Sequence, residues 1–113
     1  MVDDGEIVAV SSRALARAEE FADRHGIPRR YEGLDDLLAA DGNDAVSVAT
    51  PPSRHESDTV AALGAGKHVL CEKAFALDAA QASRMVEASR SRGLFLMEAL
   101  WSRFLPAYRH LAR

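Results

Sequence analysis

Four short apolar runs, each followed by turn residues and then a helical pattern, constrain this chain more than any other feature. They are residues 6–10 (EIVAV), 44–50 (DAVSVAT), 68–71 (HVLC) and 94–97 (LFLM). Runs of this length are too short for buried helices, and valine recurs in the first three, so they read as strands. Strands that are apolar nearly throughout suit a parallel sheet covered on both faces. The intervening segments have readable ends. Residues 13–24 place Leu15, Ala18, Phe21 and Ala22 on one stripe, with Gly26 as a stop and Pro28 beyond it. Residues 34–40 predict a shorter helix, entered through Gly33 and closed near Gly42. Ser53 and Glu56 stand at capping-box spacing before a helix that stops at Gly66. Asp78, with Gln81 three residues on, opens a helix that buries Ala82, Met85, Val86 and Ser89 and ends at Gly93. Tyr31 marks a brief extra strand between the first two helices. Strict alternation predicts βαβ units and an α/β, doubly wound parallel sheet.

With 113 residues there is room for one small domain. Hydrophobic residues make up 48%, enough for one core, and the net charge of −3 provides no electrostatic footprint for nucleic acid or an anionic membrane. No apolar run approaches the roughly 20 residues of a membrane span. The single Cys71 precludes an internal disulfide and fits a reducing compartment. The first six residues are acidic, without the pattern of a secretion signal, so a cytoplasmic location is expected. No cluster of metal-ligand spacing is present, and no metal is expected. After Met97 the character changes: Trp101, Arg103, Phe104, Tyr108 and Arg109 crowd into one segment. Residues 1–99 are therefore read as a cofactor-domain portion, and 100–113 as the start of a connection to a further domain.

In doubly wound sheets ligands bind outside the carboxyl ends of the strands. The first strand ends at Ser11, Ser12 and Arg13. An acid at such a position binds a ribose 2′-hydroxyl, whereas hydroxyls plus arginine suit a 2′-phosphate, which favours NADP with NAD as the alternative. The competing reading is that Ser12 caps the helix and Arg13 is solvated. The next long strand ends at Thr50, Pro51 and Pro52, an extended stretch able to lie along a flat ligand, with His55 in the following first turn. His55 alone reads equally as a solvated polar residue. The third run leads into Glu72 and Lys73. There a lysine can donate to a ribose or substrate hydroxyl, while a surface ion pair is the plainer alternative. Trp101 is a candidate wall for a nicotinamide and Arg103 a candidate ligand for an anionic or polyhydroxy substrate. Packing of Trp101 and Phe104 on the core is the other option.

Taken in order, VAVSSR at 8–13, DAVSVATPPSRH at 44–55, AGKHVLCEK at 65–73 and LFLMEALWSRF at 94–104 resemble the Gfo/Idh/MocA oxidoreductases. The likeness is especially to the branch similar to dihydrodiol and D-xylose dehydrogenases, and it implies a partial Rossmann-type sheet that lacks the first strand and glycine-rich turn. The resemblance covers nearly the whole chain. It implies use of NAD(P) to oxidise or reduce a hydroxyl-bearing carbon of a sugar, polyol or diol. It also implies that Lys73 is the catalytic position, contacting the nicotinamide ribose and the reacting hydroxyl. Ser11, Ser12, Arg13, Thr50, Pro51, His55, Glu72, Lys73, Trp101 and Arg103 become the cofactor-binding set. The resemblance leaves homo-oligomerisation open.

Three departures carry expectations. Ala74 replaces the usual proline after Glu-Lys, so the cis-type turn of the family is expected to be lost. Pro52 replaces the asparagine of the Thr-Pro-Asn loop, which removes a polar contact. Nothing before Val8 resembles the family's opening strand and Gly-x-Gly-x-x-Gly turn, and no substrate domain follows. The chain is thus expected to be a fragment, marginally stable, and inactive as given. The two strands that would flank the opening strand must then pair directly, be joined by another chain, or keep open edges. A non-catalytic α/β interaction or regulatory module is the rival function. A different nucleotide-binding protein of this fold class is disfavoured by the Glu72-Lys73 and Trp101–Phe104 blocks.

Overall fold

The computed structural model describes residues 3–111 and shows all five expected strands in the expected order among the helices. The residues divide into two compact units, with the boundary between Asp44 and Ala45.

In the first unit, β1 (Ala9–Ser12) and β2 (Arg29–Glu32) pair in parallel, with Ser11 opposite Tyr31. The strand marked by Tyr31 is therefore present. Alanine, glutamate and arginine are good helix formers, and α1 (Leu15–His25) runs until Gly26 enters the left-handed region at φ 66°. Ala18 and Ala22 are fully buried, but Leu15 and Phe21 stay exposed. Only half of the anticipated stripe is core. Phe21 instead lies against His25, ring centroids 4.4 Å apart. The small helix α2 (Leu34–Ala39) buries Leu37, and the Asn43 amide closes its end by donating to the Leu37 carbonyl at 3.1 Å.

In the second unit, β3 (Ala45–Val48), β4 (His68–Glu72) and β5 (Leu96–Ala99) form a parallel sheet in that order. The register places Val46 opposite Val69, and Cys71 between Val48 and Glu98. Burial alternates along β3 and β4: Val46, Val48, Val69 and Cys71 are buried, whereas Ala45, Ser47, His68, Leu70 and Glu72 are exposed. The apolar runs suggested cover on both faces; α3 (His55–Gly64) and α4 (Ala79–Arg92) supply one layer only. Leu63 and Met85, both fully buried, are the largest apolar side chains in that layer.

The start of α4 matches its sequence signature. The Asp78 carboxylate accepts from the Gln81 N–H at 2.8 Å, and the Gln81 side chain accepts from the Leu77 N–H at 3.1 Å. The capping box expected at Ser53 does not form. Residues Pro52–Arg54 make a 3-10 turn, α3 begins at His55 without a side-chain cap, and Glu56 pairs instead with Arg84 at 2.7 Å. The tandem prolines dictate the entry geometry there, and the carboxylate is drawn to α4. After β5 a second 3-10 turn (Trp101–Phe104) leads to α5 (Pro106–Leu111).

Each sheet ends on a strand with a single partner: among the described residues β1 pairs with β2 alone and β3 with β4 alone.

Candidate functional site

In both units the carboxyl ends of the strands carry the residues singled out from sequence. At the end of β1, Ser11 and Ser12 are half-buried and Arg13 is exposed. None of their side chains has a hydrogen-bond or ion-pair partner among the described residues. The Ser12 carbonyl accepts from the Gly33 N–H at 2.8 Å. Ala14, not Ser12, occupies the N-cap of α1, and no side chain caps it. The capping explanation for Ser12 therefore falls away, and three donor groups remain at this strand end.

In the second unit, three strand exits are tied together. The extended stretch after β3 reaches Pro51 (φ −58°, ψ 148°) and turns at Pro52, where the Arg54 N–H donates to the Pro51 carbonyl at 2.8 Å. His55 follows and is completely buried, not solvated. Its Nε2 sits 2.7 Å from the Thr50 carbonyl and its Nδ1 2.6 Å from the Ala74 carbonyl. His55 thereby joins the loop after β3 to the turn after β4. The turn has a second anchor on β5, where the Glu98 carboxylate accepts from the Phe75 N–H at 2.9 Å. The Lys73–Ala74 peptide is cis. The expectation that alanine in place of proline abolishes this turn is thus corrected: hydrogen bonds from His55 and to Glu98 bracket it, and neither needs a proline ring.

Lys73 itself projects from this turn, exposed, with no partner for its ammonium group among the described residues. Glu72 does not form the ion pair considered as an alternative. Its carboxylate accepts from the Lys73 backbone N–H at 3.3 Å, which leaves Nζ available. Trp101 (70% exposed) and Phe104 (60% exposed) do not pack on the core, and Arg103 is exposed beside them.

Sequence reasoning passed over two acids that organise these loops. Asp58, almost fully buried, accepts from the Thr50 hydroxyl at 2.7 Å and from Arg54 at 3.0 Å. The hydrogen bond and charge of Asp58 hold Arg54 more firmly in its protonated form. Glu98 is the other. The available signals were an acid one turn after Arg54 and an acid inside an otherwise apolar strand.

Cys71 lies below this network on β4, fully buried, and desolvation pushes its thiol above the ordinary value of 9.0, with the charges of Glu98, Glu72 and Asp58 acting in the same direction. It is expected to resist a thiol reagent such as DTNB at pH 8 until the chain is unfolded with urea; rapid labelling of the native chain would show that the strand is open. The sign of its pH linkage follows. The unfolded thiol ionises first, so the contribution of Cys71 is intact below its ordinary value and falls as pH rises past it.

A match to the family described as "Oxidoreductase family, NAD-binding Rossmann fold" extends over residues 1–100. The chain belongs to the Gfo/Idh/MocA oxidoreductases. Among curated members it is 45% identical, over 102 residues, to trans-1,2-dihydrobenzene-1,2-diol dehydrogenase of Macaca fascicularis, covering 90% of this chain and 30% of that protein. It is 38% identical over 112 residues to the NADP(+)-dependent scyllo-inositol 2-dehydrogenase of Bacillus subtilis, covering 99% and 34%. Among solved structures, a 3-ketoreductase from Actinomadura kijaniata in complex with NADP and TDP-benzene superposes with a TM-score of 0.89. That pair is 41% identical and covers 95% of this chain and 33% of the other. The chain thus spans about a third of the length of the Gfo/Idh/MocA members it matches. Their names describe oxidoreductases, several of them acting on diols or inositols, and the α/β fold with parallel sheets is shared. No helix among the described residues is long and apolar enough to cross a membrane.

Proposed function

We propose that this chain is the nucleotide-binding portion of an NADP-preferring dehydrogenase acting on a hydroxyl-bearing carbon of a sugar, polyol or diol. The observation that carries the reading is Lys73: an unpartnered ammonium at the carboxyl end of β4, on a turn held from the exits of both β3 and β5. An exposed lysine on a mobile loop would serve solubility. A lysine on a doubly anchored turn is suited to hold one position against a ligand.

Each unit, taken alone, offers donors that suit one part of a dinucleotide. Ser11, Ser12 and Arg13 offer hydroxyls and a guanidinium, without an acid, which suits the 2′-phosphate of NADP. Lys73, with Thr50, Pro51 and Glu72 nearby in the chain, suits the nicotinamide ribose, and Trp101 and Arg103 suit the nicotinamide and the substrate. When bound, the nicotinamide supplies the hydride acceptor or donor. The chain's own part is to orient the substrate hydroxyl through Lys73 Nζ, which assists proton transfer by hydrogen-bonding that hydroxyl while a further acid/base residue outside these 113 residues takes or returns the proton. No Gly-x-Gly-x-x-Gly occurs in the 113 residues, so the backbone donors that usually hold a pyrophosphate are not provided by this sequence. Weak binding by the chain alone follows. A cytoplasmic location and the two-part division at residue 99 belong to the same proposal.

Titration calorimetry tests the reading with this chain and with a chimera in which it replaces the matching segment of a dihydrodiol dehydrogenase. The chimera is expected to prefer NADP, and Arg13→Asp to reduce that preference by about tenfold or more, as loss of a charge-assisted contact to phosphate requires. Unchanged selectivity in the Arg13→Asp chimera would remove the NADP assignment. A folded chimera that binds neither nucleotide would favour a non-catalytic module.

A further inference from the structure

The strand end that carries Ser11, Ser12 and Arg13 has a neighbour on β2. The last residue of β2, Glu32, stands opposite Ser12, one pair beyond Ser11 and Tyr31. The Gly33 N–H fixes that pairing by donating to the Ser12 carbonyl at 2.8 Å. Paired residues of adjacent strands lie about 4.8 Å apart and project from the same face, while consecutive residues alternate between faces. Ser12 and Glu32 therefore share one face at the carboxyl end of the pair, and Ser11 and Tyr31 share the other. Glu32 is exposed, and its carboxylate has no hydrogen-bond or ion-pair partner among the described residues. The acid that Ser11, Ser12 and Arg13 lack is thus supplied by the next strand. We propose that Glu32 is the specificity-determining residue of this nucleotide site: its carboxylate accepts from a ribose 2′-hydroxyl and repels a 2′-phosphate, so that it opposes Arg13 and keeps NAD acceptable beside NADP.

The chemistry of the two 2′ groups gives the carboxylate its sign. An ionised carboxylate only accepts hydrogen bonds, and a ribose hydroxyl has a proton to donate to it. A phosphate is itself an anion with acceptor oxygens, so the same carboxylate meets it with repulsion and no hydrogen bond. The nearby bases of β2 are committed elsewhere and do not neutralise Glu32. Arg30 holds Asp23 at 2.7 Å and the Ile27 carbonyl at 3.1 Å, and Arg29 donates to the Asp41 carbonyl at 2.6 Å. Asp35 and Asp36 lie in the first turn of α2, past Gly33, where the backbone leaves the strand at φ 76°. Neither belongs to the ladder that sets Glu32 beside Ser12. The inference rests on the proposed function in placing the 2′ group of the nucleotide at the end of β1.

Titration of the full chain with adenosine 2′,5′-bisphosphate and with 5′-AMP tests the assignment, because the two probes differ at the 2′ position alone. The amide NMR signals of Ser12, Arg13 and Gly33 report weak binding directly, without an assay of activity. Glu32→Gln keeps the size of the side chain and removes its charge. It is expected to raise affinity for the bisphosphate relative to 5′-AMP by about fivefold, the upper range for one exposed charge pair. An unchanged or lowered ratio overturns the inference. Asp36→Asn, which removes a charge from α2, is expected to leave the ratio within about twofold; a gain equal to that of Glu32→Gln would reveal a general charge effect and also overturns it. Arg13→Asp separates the two levels of the argument. If it lowers the ratio while Glu32→Gln does nothing, only the role of Glu32 falls. If the three amides respond to neither probe, the placement of the 2′ group at this strand end falls with it.

Discussion

Leu63→Ala is expected to lower stability by about 2–5 kcal/mol, the range for deleting a fully buried leucine side chain in a packed core. Leu63 lies at 0% exposure on α3, in the single helical layer that covers β3 and β4. That layer leaves the other face of those strands exposed, so the unit has little redundancy with which to absorb a cavity. Small domains gain or lose about 4–8 °C of Tm per kcal/mol, so a fall on the order of 10 °C or more is expected in thermal circular dichroism. Leu70→Ala serves as the control, because Leu70 on the same sheet is 40% exposed and its loss creates no cavity. Equal, small shifts for both variants would show that the helices do not pack against the sheet as described.

Lys73→Met in the dihydrodiol dehydrogenase chimera is expected to reduce kcat by about 10²–10⁴, the usual contribution of a positioned proton-transfer group. The affinity for NADP should change far less, because the contacts assigned to the 2′-phosphate lie at Ser11, Ser12 and Arg13. Methionine keeps the length and apolar stem of lysine while removing the ammonium. Since Nζ has no partner within the described residues, the substitution breaks no internal contact. A change in kcat therefore reads on chemistry and not on folding. Nearly unaltered kcat, with the NADP affinity weakened instead, would reassign Lys73 from proton transfer to cofactor binding.

Element type and order were legible in the residues because they depend on local chemistry. Valine-rich runs, the Asp78–Gln81 cap, and glycines at positions 26 and 93 specify strands, a helix start and helix stops through contacts a few residues apart. Family membership was legible for a related reason, since four short blocks in register carry more information than any one of them. Boundaries slipped where neighbours compete. β1 was expected over residues 6–10 and lies at Ala9–Ser12; β5 was expected over 94–97 and lies at Leu96–Ala99. In both cases pairing in the sheet, not apolarity, decides which residues are strand.

Tertiary structure decided the rest. Ser53 and Glu56 have capping-box spacing, yet Arg84, 28 residues away along the chain, claims the Glu56 carboxylate. Ala74 suggested a lost turn, but partners 19 and 23 residues distant bracket it. His55 read as a solvated helix-start residue, and only the approach of two loops turns it into a buried clasp. Sequence by itself determined the alternating α/β order, the family and the strand ends at which donors stand. Which donors are left unpaired there, and which polar groups are spent on holding loops, was settled by folding. Hydrogen bonds and burial between segments far apart in the chain have no signature in local composition, because their energies exist only once the segments meet.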